Sequence, residues 1–494
     1  MSSLKERKEA FVSNLSGGEI WEINVVTSIA LVGYFSSVVL SRYTLLFKKK
    51  EKWGLSSLLL DFLLNWIGLL LSITIYADYP LYLACGILIP TALLTVLYYS
   101  PSRSFNKTKQ EKQLTERSYL PKKPFITAYR GGMLIITALA ILGVDFKIFP
   151  RRFAKVETWG TSLMDLGVGS FVFSLGIVSA RSVLLENFRA KSDSYFRKLK
   201  KSLSGTTTSL ILASLRLIFV KNLDYQEHVS EYGVHWNFFL TLVLVGPLAI
   251  SIEPLFKIAP RCTISIIISL TYEWFICKKE GFLNFLLLAP RTNLISANRE
   301  GIFSLIGYFS IYLAGQSTGF YLLPSKPSKN NLFTPGAKNS IVSSEKWKPS
   351  IIQNLTTVTP IQGLITWFIV YFSLFNFVLA NHDYNVSRRL ANLPYVLWVC
   401  SYNTGFLVFY SIIDELINSS DASYDEKISI SLESINSNGM ILFLLSNIST
   451  GIVNLSINTL DASPGVSIAV LITYSSVIAI AGGILYHYKI FIKL

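Results

Sequence analysis

Charge is scarce in this chain of 494 residues: Asp, Glu, Lys and Arg make up 15% of it, against about 25% in soluble domains. With 51% hydrophobic residues, an ordinary water-soluble core is excluded. Cysteine is scarce too. Cys85, Cys262, Cys277 and Cys400 lie too far apart in sequence for a disulfide framework or a metal-binding spacing, so no metal is expected. The chain lacks a Walker loop, a His-x-x-x-x-Asp acyltransferase signature, an Asp-His-His-Cys run and a Gly-x-Ser-x-Gly elbow, which removes the common phosphoryl-transfer and serine-hydrolase chemistries. Met1 to Asn24 is polar with both charge signs, unlike a cleavable signal peptide. The first apolar run, near Ile23, is therefore expected to act as its own signal-anchor.

What is present is a succession of apolar runs, each near the roughly 20 residues that cross about 30 Å of hydrocarbon. They begin near Ile23, Ser56, Pro80, Ile126, Thr161, Thr206, His235, Arg261, Ile302, Pro360, Asn392, Gly439 and Val466. The fold class read from them is an all-α polytopic membrane protein, a bundle of about 13 transmembrane helices forming one domain over residues 1–494. The runs at Thr206 and Gly439 are the weakest. The stretch Gly281 to Pro290 is too short to cross and reads as re-entrant or interfacial.

The net charge of +15 sits in short loops between apolar runs, where it sets orientation; nucleic acid is not an expected partner. Putting the loops that start at Arg42, Ser100, Arg181, Glu253, Leu323 and Asp414, and the C-terminal tail, in the cytosol places 29 of the 45 Lys and Arg there, with 14 opposite and Arg130 and Arg216 within spans. The N-terminus, including residues 1–22, is then lumenal and the C-terminus cytosolic. Residues 323–359 read as a flexible cytosolic loop. Of the Asn-x-Ser/Thr sequons, Asn14 and Asn385 fall on the lumenal side and are the expected glycosylation sites, unlike Asn106 and Asn354.

One lumenal loop breaks the charge rule. Asp145 to Gly160 carries Lys147, Arg151, Arg152 and Lys155 on the side that should be depleted of cations. Arg151 and Arg152 can offer planar forks to phosphate and Lys155 a point charge; a snorkelling interfacial loop would look similar. Asp165 opens the next span, either to orient a cation or substrate hydroxyls or to tie helices together. For Asp61, Arg130, Arg216 and Glu273, interhelical pairing is the expected role. The loop Lys221 to Asn237 gathers carboxylates with His228 and His235, suited to binding sugar hydroxyls or supplying a general base; an ordinary solvated polar loop would look similar. Asn298-Arg299-Glu-Gly and Ser387-Arg-Arg-Leu-Ala-Asn392 open spans on the same side. Together these point to one polar chamber facing the lumen, suited to a lipid enzyme or to a transporter or flippase that binds an anionic headgroup.

The run Thr127-Ala-Tyr-Arg-Gly-Gly through Asp145 and Lys155 to Asp165-Leu-Gly-Val-Gly169 closely resembles the glycosylphosphatidylinositol (GPI) inositol acyltransferase family, called GPI-anchored wall transfer protein in fungi and PIG-W in animals. Glu231-Tyr-Gly-Val-His235, Ser296-Ala-Asn298-Arg299-Glu-Gly, Ser387-Arg-Arg and Leu432-Glu-Ser-Ile-Asn extend the resemblance along the chain. It implies transfer of palmitoyl from acyl-CoA, a co-substrate with no tightly bound cofactor, to the inositol 2-hydroxyl of glucosaminyl-phosphatidylinositol in the endoplasmic reticulum membrane. It also implies that Asp145 and Lys155 are the catalytic pair. Arg151 and Arg152 are then expected to hold phosphate, with Asp165, His235, Asn298 and Arg299 lining the chamber.

Overall fold

The computed structural model describes residues 4–44, 54–98, 115–190, 193–207, 210, 229–278, 280–342, 349–382, 384–417, 424 and 427–492. Among these, nine helices are long and apolar enough to cross a membrane. They are α1 (Ile20–Tyr43), α2 (Leu55–Ser72), α3 (Pro80–Tyr98), α4 (Pro124–Gly143) and α5 (Leu163–Arg189), then α9 (Pro360–Asn381), α10 (Leu393–Ile417), α11 (Gly439–Ser456) and α12 (Pro464–His487). Between the two groups lie α6 (Phe238–Ser251), α7 (Arg261–Lys278) and α8 (Arg299–Leu322). The chain is thus an all-helical, multi-span membrane protein. The expected run from Thr206 to Val220 lies almost wholly outside the described residues.

Helices α6 to α8 coincide with expected spans but differ in kind. Helix α6 has 14 residues, and α7 carries Arg261, Glu273 and Lys278. Helix α8 is diluted by Gly, Ser, Thr, Gln and Tyr, and its residues 307–322 are buried without a break. A helix enclosed by protein needs no apolar coat, and small residues let its neighbours come close. A Cβ built on Gly176 of α5 would stand 2.3 Å from Tyr312 O, and one on Gly315 2.2 Å from Phe173 O, so α5 and α8 meet backbone to backbone. At the periphery α3 shows Leu81, Tyr82, Ile89, Leu93 and Val96, the apolar coat of a helix facing lipid.

The charges expected to pair between helices do so where they are described. Asp61 sits beside the π-turn Leu63–Ile67 of α2. It accepts from Asn65 Nδ2 at 2.7 Å and from Ser431 N at 2.8 Å, the latter at the start of the helix Ile430–Ser437, whose dipole favours a carboxylate. Arg130 of α4 donates to Ser174 Oγ of α5 at 3.1 Å. Glu273 of α7 accepts from Leu393 N of α10 at 2.6 Å. Arg216 lies outside the described residues. In the 323–359 segment, expected to be a mobile connector, the described part is held by a set of contacts. Ser328 bridges Ile341, and Asn331 bonds Val358 in both directions at 2.9 and 2.8 Å.

Candidate active site

At one end of the bundle α4 and α9 stop and α5, α8 and α10 start, so residues 144–162, 229–237 and 384–392 gather there. The 144–162 loop is anchored by its aromatics: Phe146, Phe149 and Phe153 are fully buried. The N-terminal segment crosses it closely, with Gly17 at φ +83° bridging Thr161. A Cβ on Gly17 would lie 2.1 Å from Thr161 O, so only glycine fits that crossing.

Lys155, at the edge of this loop, begins a chain of alternating charges that runs inward. Its Nζ lies 2.7 Å from Glu231 Oε1, which is 3.2 Å from Arg388 Nη1; Arg388 Nε lies 2.6 Å from Asp165 Oδ1. Side-chain exposure falls along it from 40% at Lys155 and 17% at Glu231 to 4% at Arg388 and 1% at Asp165, so the chain links the open end to the core. The other Asp165 oxygen accepts from Ser162 Oγ at 2.7 Å and Val156 N at 3.1 Å. This satisfies the carboxylate and ties the α5 N-terminus to the loop. Burial alone would lower the Arg388 pKa, but Glu231 and Asp165 outweigh it and hold the guanidinium well above its ordinary value. Asp165 therefore ties the start of α5 to the loop that precedes α10 and, through Arg388 and Glu231, reaches Lys155.

Below Lys155 lies a cavity holding about 1160 Å³ of space, its open mouth included. Its walls come from α1, α4, α5, α6, α10 and α11, and Lys155 and Glu231 stand among its lining residues. On α4 the lining runs from Tyr129 to Ile141, about 18 Å at 1.5 Å rise per residue. That is close to the depth of one leaflet, about 15 Å or half the hydrocarbon thickness. The walls are Met133, Ile136, Leu163, Phe171, Phe406 and similar side chains. At the far end Tyr129 donates its hydroxyl hydrogen to Asn403 Oδ1, with Tyr402 and Tyr410 beside them in the lining.

Asp145 lies two residues past the end of α4, one turn beyond the cavity-lining Ile141. Its carboxylate accepts from Asn454 Nδ2 at 2.7 Å. Asn454 shares one face of α11 with Phe443 and Asn447, both cavity residues. Burial raises the Asp145 pKa above the ordinary carboxylate value; the Asn454 hydrogen bond and the Lys8 and Arg151 charges pull it part of the way back. Asp145 and Lys155 thus occupy the same end of the bundle with different partners, and no hydrogen bond or ion pair joins them.

The other expected site residues face inward to protein groups. Arg151 donates to the carbonyls of Phe146 and Phe149, at 3.1 and 2.8 Å from Nη2, and lies 3.9 Å from the Phe11 ring centre. Desolvation lowers its pKa to about 10. Arg152 pairs with Glu22 at 2.7 Å and Asp78 at 2.5 Å. Arg299 donates to the carbonyls of Leu286, Leu287 and Ala289, capping the short helix Glu280–Leu288 that the sequence marked as too short to cross. Asn298 Oδ1 accepts from His235 N at 2.7 Å, and with Gly233 at φ +111° against it it fixes the segment that carries Glu231. Arg151, Arg152, Arg299, His235 and Asn298 are not among the cavity-lining residues.

Sequence reasoning missed Glu231 and Arg388 as members of the charge chain, and Tyr129 and Asn403 as the cavity floor. The only local signal for Asn403 was an amide in the middle of an apolar run. Asn14 and Asn385 are exposed and lie at the Lys155 end, where Glu157 N donates to Leu15 O and Gly160 N to Val386 O. Asn354 lies in the helix Ile351–Thr356, ahead of the α9 start at the opposite end; Asn106 is outside the described residues.

A sequence model of the GWT1 family matches residues 4–485. The chain is 53% identical to GPI-anchored wall transfer protein 1 of Saccharomyces cerevisiae, 49% to that of Candida glabrata and 44% to that of Candida albicans, in each case over the whole of both chains.

Proposed function

The chain belongs to the GWT1 family, and we propose that it is the acyl-CoA-dependent inositol acyltransferase of GPI-anchor assembly. It moves a fatty acyl group, palmitoyl foremost, to the inositol 2-hydroxyl of glucosaminyl-phosphatidylinositol in the endoplasmic reticulum membrane, with the Lys155 end facing the lumen. The observation that carries this reading is the leaflet-deep apolar cavity with an ammonium at its mouth. An acyl chain seated there gains about 0.8 kcal/mol per buried methylene. Its thioester is then left at the polar end, beside Lys155.

The chemistry needs a base for the inositol hydroxyl and a donor for the oxygen that becomes anionic as the tetrahedral intermediate forms. Asp145 takes the hydroxyl proton; its burial-raised pKa brings it closer to the working pH, which favours proton transfer. Lys155, oriented by Glu231 and through it by Arg388 and Asp165, supports the oxyanion. Collapse of the intermediate expels the CoA thiolate, which receives the proton held by Asp145. Transfer is direct: Ser162, beside Asp165, and Cys277, beside His382, are not among the residues that line the cavity. Arg151 and Arg152, turned toward protein groups, shape the loop that presents Lys155.

Purified protein in detergent, given palmitoyl-CoA and glucosaminyl-phosphatidylinositol, is expected to release free CoA and form acylated lipid in equal amounts. Asp145→Asn and Lys155→Ala should each lower the rate by about 10²-fold or more with unfolding temperatures near that of the unaltered protein. Headgroup translocation in vesicles without CoA release would replace this reading with a flippase; near-normal turnover in either variant would remove that residue from the mechanism.

A further inference from the structure

Away from the cavity, the same end of the bundle brings together three side chains that the charge chain does not use. Glu273 and Cys277 stand four residues apart on the last turns of α7 and so project from one face. Helix α9 ends at Asn381, and the next residue, His382, turns its ring onto that face. His382 Nε2 lies 2.9 Å from Glu273 Oε1 and 3.2 Å from Cys277 Sγ, and Sγ lies 3.9 Å from Glu273 Oε1. Ligands bound at about 2.0 to 2.3 Å from a zinc ion stand roughly 3 to 4 Å from one another. Two of the three separations fall in that range and the third, 2.9 Å, stands at its lower edge.

The surroundings are those of a ligand set. A metal-bound histidine holds its other ring nitrogen with a backbone or carboxylate partner. His382 Nδ1 has both kinds of backbone group at 3.0 Å, the Tyr384 carbonyl and the Tyr384 N–H. With Nδ1 protonated it donates to the carbonyl and frees Nε2 as a ligand; with Nδ1 bare it accepts from the N–H and Nε2–H faces Glu273. The ring can therefore serve either tautomer without moving. The second oxygen of Glu273 is fixed by Leu393 N at 2.6 Å, which leaves Oε1 aimed at the other two groups. The site is shielded yet reachable: the Glu273 and His382 side chains are 6% and 14% exposed.

We propose that Glu273, Cys277 and His382 bind a divalent zinc-class ion that staples the ends of α7 and α9 to the start of α10. One sulfur, one imidazole nitrogen and one carboxylate oxygen suit zinc; magnesium and calcium select oxygen donors alone. Binding displaces the thiol proton of Cys277 to solvent, and water takes the fourth position. Arg388 lies between His382 and Leu393 in sequence, so the ion also steadies the segment that feeds the charge chain.

The test uses the full-length protein, stripped with a chelator and dialysed against buffered zinc, with metal counted by mass spectrometry. One zinc per chain is expected, with none retained by Cys277→Ser or His382→Ala, and about tenfold or greater weakening in Glu273→Gln, which keeps the hydrogen bonds to Leu393 and His382. Because either ligand variant could fail to fold, cobalt(II) is bound to the unaltered protein as well. A near-ultraviolet thiolate-to-cobalt charge-transfer band is expected, together with a rise in unfolding temperature that chelator reverses. Absence of that band, or zinc uptake no greater than that of a folded Cys277→Ser/His382→Ala variant, overturns the proposal.

Discussion

Gly167→Leu should close the cavity at a defined depth. Gly167 lines it from α5, and a Cβ added there meets only Thr137 Oγ1, at 3.9 Å, so the new side chain has room. In a helix interior glycine is about 0.8 to 1 kcal/mol less favourable than alanine, and leucine ranks next to alanine, so the fold is not at risk. Thr137 lies four residues below Ile141 and eight above Tyr129 on α4, or about 6 Å from the top of the lining and 12 Å from its floor. Four side-chain carbons placed there displace at least as many acyl methylenes. At about 0.8 kcal/mol each, the loss is about 3 kcal/mol, or roughly 200-fold in kcat/KM, for any chain that passes that level. The assay is acyl transfer from a series of acyl-CoA donors of increasing length. Palmitoyl-CoA should lose the full factor, butanoyl-CoA almost nothing, and Gly451→Leu, at a position with nothing within 4 Å and outside the cavity lining, should leave the profile unchanged. An unaltered length profile in Gly167→Leu, or an equal loss at every length, would show that the acyl chain does not occupy this cavity.

Three further outcomes are expected. Because burial raises the Asp145 pKa, the base is lost as the pH falls through a value above the usual carboxylate range. Asn454→Ala removes the hydrogen bond that lowers that pKa and should move the acid limb of kcat/KM to higher pH; an unmoved limb would take the titration away from Asp145. Arg388→Met strands Asp165 in the core and should cost about 3 to 5 kcal/mol in denaturant unfolding. Asp165→Leu/Arg388→Met should lose less than the sum of its single changes, and strict additivity would mean that the pair is not coupled. Glycan should attach at Asn14 or Asn385 and not at Asn354 or Asn106, read as endoglycosidase shifts in sequon variants; a shift mapped to Asn354 would invert the proposed orientation.

Hydropathy alone determined that this is a multi-span helical protein and where most helices lie, because crossing hydrocarbon requires a local run of apolar residues. The excess of cations in the loop after α4 was equally legible, being a local departure from a charge rule. What those cations touch was not. Lys155 meets Glu231, 76 positions away, and Glu231 meets Arg388, 157 positions further on; Arg152 meets Glu22 and Asp78, 130 and 74 positions away, and only Arg151 is taken up by carbonyls of its own loop. Helix α8 had the same cause of concealment: lipid is as apolar as a protein interior, so periodicity does not tell which face meets which. The four-residue spacing of Glu273 and Cys277 could be read from the sequence, but only packing brought His382, 105 positions from Cys277, onto them. Partners that lie far apart in the chain are chosen by how helices stack, and no local pattern of residues carries that choice.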